Sequence, residues 1–94
     1  MNSLNYKTGT LIIGNKKIEL TKMETIILST LSDNKIKTYV EIYNAMYNVN
    51  EKEIDESIRR IIHVHKSKLI KKTGLKIKSK HSFGIRLEDK VCLY

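Results

Sequence analysis

Apolar and polar positions follow first one period and then another along this chain, and each change of period marks a new element. Thr10-Leu11-Ile12-Ile13 and Lys17-Ile18-Glu19-Leu20 flank Gly14-Asn15-Lys16, the turn chemistry of a short β-hairpin. Thr21-Lys22-Met23-Glu24 reads as a capping box, in which Thr21 accepts from the first helical turn and Glu24 reaches back. Behind it Met23, Ile27, Leu28 and Leu31 recur at three- and four-residue spacing until Asp33-Asn34 stops the helix. A second capping box, Thr38-Tyr39-Val40-Glu41, opens a shorter helix with Ile42 and Met46 inward. Asn50-Glu51-Lys52-Glu53 signals a third start. The stripe Ile54, Ile58, Ile61, Ile62, His65 and Leu69 carries that helix to Thr73-Gly74, a common C-terminal stop. At roughly 20 residues it would span about 30 Å.

The period then returns to two. Between Leu75 and Glu88, the residues Leu75, Ile77, Phe83, Ile85 and Leu87 alternate with Lys76, Lys78, Lys80 and Arg86. This predicts a hairpin whose apolar side, Phe83 included, rests on the core while its basic side meets solvent, with His81-Ser82 at the tip. The resulting order is strand hairpin, three helices, strand hairpin: an α+β fold whose apolar faces close one core. No repeat, proline or linker-like segment interrupts it. A single domain over residues 1–94 is expected, with a core of about 10–88 and a short exposed tail, 89–94.

Composition agrees with a globular chain, at 94 residues, 40% hydrophobic and 30% charged. One cysteine, Cys92, excludes an internal disulfide and suits a reducing compartment. No apolar run approaches the roughly 18 residues of a membrane span, and the opening MNSLNYK lacks the apolar core of a signal peptide. A soluble, cytoplasmic protein is the expectation.

Charge changes the picture most. The formal net charge is +8, a positive excess that favours polyanionic partners. Up to Asn50 there are 6 lysines and 4 acids; from Glu51 onward there are 12 basic residues and 6 acids. Ser57 to Arg86 holds 10 cations and no Asp or Glu. Such self-repulsion costs stability unless a partner uses it. If the apolar stripe of the long helix faces inward, Arg59, Arg60, His63, Lys66 and Ser67 face outward, on a helix sized for the major groove of B-DNA. The acidic residues before it (Glu51, Glu53, Asp55, Glu56) suit a helix start but repel phosphate, so contacts are expected from Arg59 onward. The hairpin then acts as a wing beside the helix, with Lys76, Lys78, Lys80, His81, Ser82 and Arg86 meeting the sugar-phosphate edge or the adjoining minor groove.

Other chemistry is thin. His63-Val64-His65 places two rings on different helix faces, a poor metal pair, and His65 lies on the apolar stripe as a core histidine would. Cys92 has no histidine at a spacing that would activate it, and no Gly-rich phosphate loop or nucleophile elbow occurs. Neither an enzyme nor a cofactor is expected.

Leu20-Thr21-x-x-Glu24-x-x-Ile27-Leu28-x-x-Leu31 resembles the opening helix of OmpR/PhoB-type winged-helix domains, the DNA-binding halves of many response regulators. The long helix ending in Leu69 and the segment Gly84-Ile85-Arg86-Leu87 are similar to that family's recognition helix and the end of its wing. The resemblance covers roughly Leu11 to Glu88. It implies an N-terminal antiparallel sheet, three helices and a C-terminal hairpin, with recognition-helix contacts on Arg59, Arg60, His63, Val64 and Lys66. The sequence departs from the family at His65, which replaces a core leucine, at His81 and Ser82, which replace the wing's arginine and first glycine, and at Ile85, which replaces its tyrosine. Ninety-four residues leave no room for a receiver domain, so the chain is either a fragment cut from a longer regulator or a stand-alone winged helix-turn-helix protein, and the expectation is the stand-alone form, bacterial and nucleoid-associated. It would bind double-stranded DNA sequence-specifically as a transcription regulator, as a homodimer or as side-by-side copies on repeated sites. The alternatives are an accessory DNA-binding protein of a plasmid, phage or transposon (in conjugation and transfer, replication or partition) and a basic protein-interaction module.

Overall fold

The computed structural model describes residues 2–53, 55–80 and 83–94; Ile54 of the expected stripe and the expected wing tip, His81-Ser82, lie outside the described residues. In chain order the elements are β1 (Asn2–Asn5), β2 (Thr10–Ile13), β3 (Lys16–Glu19), α1 (Lys22–Leu31), β4 (Lys37–Thr38), α2 (Tyr39–Tyr47), α3 (Glu56–Thr73), β5 (Ile77–Lys80), β6 (Gly84–Leu87) and β7 (Val91–Leu93). They form a four-stranded sheet in the order β3-β2-β1-β7, three helices, and a three-stranded sheet in the order β4-β6-β5.

Both capping boxes form. Thr21 Oγ1 accepts from Glu24 N at 3.2 Å while Glu24 Oε1 accepts from Thr21 N at 2.8 Å, and Thr38 and Glu41 repeat the exchange at the start of α2. The third start is later than the sequence suggested. Asp55 is the N-cap, accepting from Ile58 N at 3.0 Å. Residues Asn50 to Glu53 belong instead to the α2–α3 loop, where Asn44 holds both the carbonyl and the amide of Glu51. Asn44 supplies the partners that a helical turn would otherwise have given.

Strands near both chain ends extend the sheet beyond the expected core of residues 10–88, while Lys90, Leu93 and Tyr94 of the tail are exposed. β1 pairs antiparallel with β2, and β7 lies parallel to β1, with Asn2 opposite Val91 and Leu4 opposite Leu93. Leu4 and Val91 are buried. The core is continuous from this sheet through Ile27, Leu28 and Leu31 of α1, Ile42 and Met46 of α2, and Ile58, Ile62 and Leu69 of α3, to Ile77, Ile85 and Leu87 of the C-terminal strands. Each such side chain contributes about 1.5–3 kcal/mol on burial.

The C-terminal hairpin is stitched to the helices at two points. β4 pairs with β6, setting Thr38 opposite Gly84. A Cβ on Gly84 would collide with the carbonyl of Lys37, so only glycine fits this approach. Asn34, in a left-handed conformation (φ 63°), donates from Nδ2 to the carbonyls of Leu87 (2.9 Å) and Asp89 (2.8 Å). Leu75, Ile77, Ile85 and Leu87 face the core as expected, but Phe83 does not: it is 60% exposed. Its amide donates to Lys80 O at 2.9 Å in the turn, which breaks the alternation on which the inward placement rested.

Candidate nucleic-acid interface

α3 presents three different sides. One flank leans on α2 and the hairpin. There Arg59 lies over the buried ring of Tyr39, 5.5 Å from its centroid, and His63 Nε2 shares a 3.3 Å hydrogen bond with the Tyr39 hydroxyl. One helical turn on, Lys66 Nζ donates to Ser79 Oγ of β5 at 3.0 Å, tying the helix to the hairpin. All three side chains are half-buried. Burial lowers the pKa of His63, helped by the charges of Lys66 and Arg59 and opposed by Glu56; burial also lowers that of Lys66.

The ridge facing away from the core is different. Arg60, Val64 and Ser67 are exposed, as are Lys68 and Lys71. Arg60, Val64 and Ser67 follow a spacing of four and three, so they form one line along the helix.

The third side meets α1. Lys72 Nζ donates to Glu24 Oε1 at 2.8 Å, and Glu24 is buried. Burial acts to raise the pKa of Glu24, but the Lys72 hydrogen bond, the Thr21 backbone bond and the Lys72 charge outweigh it, so the net shift is downward. Lys72 belongs to the acid-free stretch, yet it is paired with a carboxylate of α1. His65 also departs from expectation. It is half-exposed rather than a core residue, and with Tyr47, Arg60, Ile61 and Val64 it lines a shallow surface hollow. The inward line of α3 runs through Ile58, Ile62 and Leu69, which leaves His65 at its margin.

The hairpin cations divide in the same way. Lys76 and Lys78 are exposed. Arg86 Nη2 lies 2.7 Å from Glu88 Oε2, and Lys80 Nζ lies 3.7 Å from Glu88 Oε1. The Arg86 hydrogen bond holds Glu88 below the usual carboxylate range, and the charges of Arg86, Lys80 and Lys78 add to it. Glu88 lies just past the acid-free stretch, and its reach back across the hairpin was invisible in a linear count. Of the twelve residues named from the sequence, the structure therefore gathers Arg59, His63 and Lys66 on the Tyr39 flank and Arg60, Val64 and Ser67 on the ridge. Lys76 and Lys78 are exposed on the hairpin, Lys80 and Arg86 pair with Glu88, and His81 and Ser82 lie outside the described residues. Sequence reasoning missed Tyr39 as the support of the first group; no local pattern could signal it, because the contact spans 24 residues.

Among the described residues, no group of three or more His, Cys, Asp or Glu could hold a metal ion, and no helix is long and apolar enough to cross a membrane.

No family model and no curated protein matches the sequence. Among solved structures, the chain is similar to the DNA-binding domain of the response regulator AdeR, whose crystal structure is in complex with an intercistronic region. The two share 26% sequence identity over 94% of each chain, with a TM-score of 0.72. The motifs that resembled one family at three places in the sequence thus correspond to a likeness of the whole fold, and the chain is folded as an OmpR/PhoB-type winged helix-turn-helix domain.

Proposed function

We propose that this protein binds double-stranded DNA sequence-specifically as a transcription regulator. In this reading α3 enters the major groove with Arg60, Val64 and Ser67 toward the base edges, and Arg59, His63 and Lys66 toward the backbone. The β5–β6 hairpin follows the adjoining sugar-phosphate edge through Lys76 and Lys78. The observation that carries the reading is the exposed α3 ridge beside the exposed hairpin lysines, on a fold shared with a domain crystallised on an intercistronic region. The net charge of +8 supports the same partner.

The test is selection of bound duplexes from a random library by the purified protein, followed by affinity measurements over a salt series. A recovered motif is expected, with repeated half-sites if copies bind together. With about six phosphate contacts, log K should fall against log salt with a slope near −5. A slope near zero, or no motif at all, overturns the reading. Locating the motif at a promoter rather than at an origin of replication or transfer separates promoter control from an accessory role on a mobile element.

A further inference from the structure

We propose that Phe83 is an apolar wedge that the hairpin inserts into the minor groove of duplex DNA at a deformable base step. The inference rests on the DNA-binding reading and adds to it a residue and a mechanical effect. A lone exposed apolar residue is ordinary on a protein surface; the setting of Phe83 is not. Its ring is 60% exposed immediately before β6, in the turn that its own amide closes onto Lys80. The strand pairing fixes the backbone on which Phe83 sits: Lys80 is opposite Gly84, and Gly84 is pressed against the backbone of Lys37 and Thr38.

Among the described residues, the cation nearest the turn is Lys80, opposite Gly84, and it pairs with Glu88. The exposed lysines stand farther back, Lys78 on β5 level with Arg86 and Lys76 just before the strand. The hairpin therefore offers cations to a phosphate strand along its length and an aromatic ring near its end. The Lys66–Ser79 contact fixes the hairpin against α3, so a helix seated in the major groove carries the hairpin end to the neighbouring minor groove. Apolar side chains inserted there unstack a base step and bend the duplex. Pyrimidine–purine steps yield most easily.

The experiment compares the wild type with Phe83→Ala, Phe83→Leu and Lys78→Ala on the duplex recovered by selection. Affinity is measured over a salt series and bending by end-to-end fluorescence transfer, with thermal melting confirming that each variant is folded. Phe83→Ala should weaken binding roughly tenfold at every salt concentration, leave the salt slope unchanged and reduce the bend, while Phe83→Leu keeps most of both. Lys78→Ala should instead make the salt slope shallower by about one. Replacing the contacted step with a stiff A-tract should abolish the difference between wild type and Phe83→Ala. If Phe83→Ala binds and bends DNA like the wild type while Lys78→Ala weakens binding, the wedge is wrong and the DNA-binding reading stands. If the wild type itself binds no duplex, both fall.

Discussion

The flank of α3 that carries Arg59, His63 and Lys66 and the ridge that carries Arg60, Val64 and Ser67 are both polar, but they differ in what holds their side chains. On the flank, each group has a partner from another element: the Tyr39 ring, the Tyr39 hydroxyl, the Ser79 hydroxyl. On the ridge, the side chains are exposed. A positioned cation is suited to a partner whose geometry repeats, such as a phosphate backbone. A side chain free to choose its rotamer is suited to base edges that vary from site to site, and it gives up that freedom on binding.

Removing the support of the flank should have the largest effect. Tyr39→Ala empties a buried site and is expected to cost about 3–5 kcal/mol in urea denaturation, whereas Val64→Ala on the ridge should stay within about 0.5 kcal/mol. Equal costs would erase the distinction between the two sides. Next in size is the division of labour on DNA. Arg60→Ala should lose about 1–3 kcal/mol of discrimination at one base position, seen as a flattened column in the selected motif. Arg59→Ala should weaken all sequences alike; a changed motif from Arg59→Ala would reverse the assignment.

The side of α3 facing α1 offers a smaller, pH-dependent effect. Because the pKa of folded Glu24 lies below its ordinary 4.5, the stability it contributes is present above that value and is lost as pH falls through the lowered one. Glu24→Gln should cost about 1 kcal/mol at neutral pH and make acid unfolding less steep in that window. An unchanged acid transition would mean that the Lys72 contact contributes nothing. The smallest effect belongs to His63. Its folded pKa is below 6.5, so acidification from 6.5 down to the folded value favours the unfolded chain, which takes up the proton first. His63→Gln should remove that part of the stability–pH curve; a curve identical to the wild type would place the His63 ring in water rather than against Tyr39.

What could be read from the sequence was what depends on neighbours within a few residues. Thr21 with Glu24 and Thr38 with Glu41 are capping boxes because partners three residues apart can find each other on a nascent helix. The alternation that buries Ile77, Ile85 and Leu87 is likewise local. β1 and β7 were missed because Asn2–Asn5 and Val91–Leu93 are too short to show a period, and their pairing joins opposite ends of the chain. Asn50 to Glu53 imitates a helix start, but Asn44 captures Glu51 first. Phe83 was assigned to the core by extending a two-residue period across a turn, where the chain reverses and the period lapses. The partition of α3 into flank and ridge depends on Tyr39, Ser79 and Glu24, all contributed by other elements.

Thr38 belongs to two structures at once. It caps α2 through its side chain and is the β4 residue paired with Gly84 of the hairpin. The hairpin is therefore not a flap on a hinge. To peel away, it must release the strand that contains Thr38, the residue whose exchange with Glu41 anchors α2. Opening of the wing and fraying at the start of α2 are therefore expected to be coupled through Thr38. A force applied at the hairpin, such as the recoil of a bent duplex, is felt at the start of α2 and, through Tyr39, along the side chains that hold α3 in register.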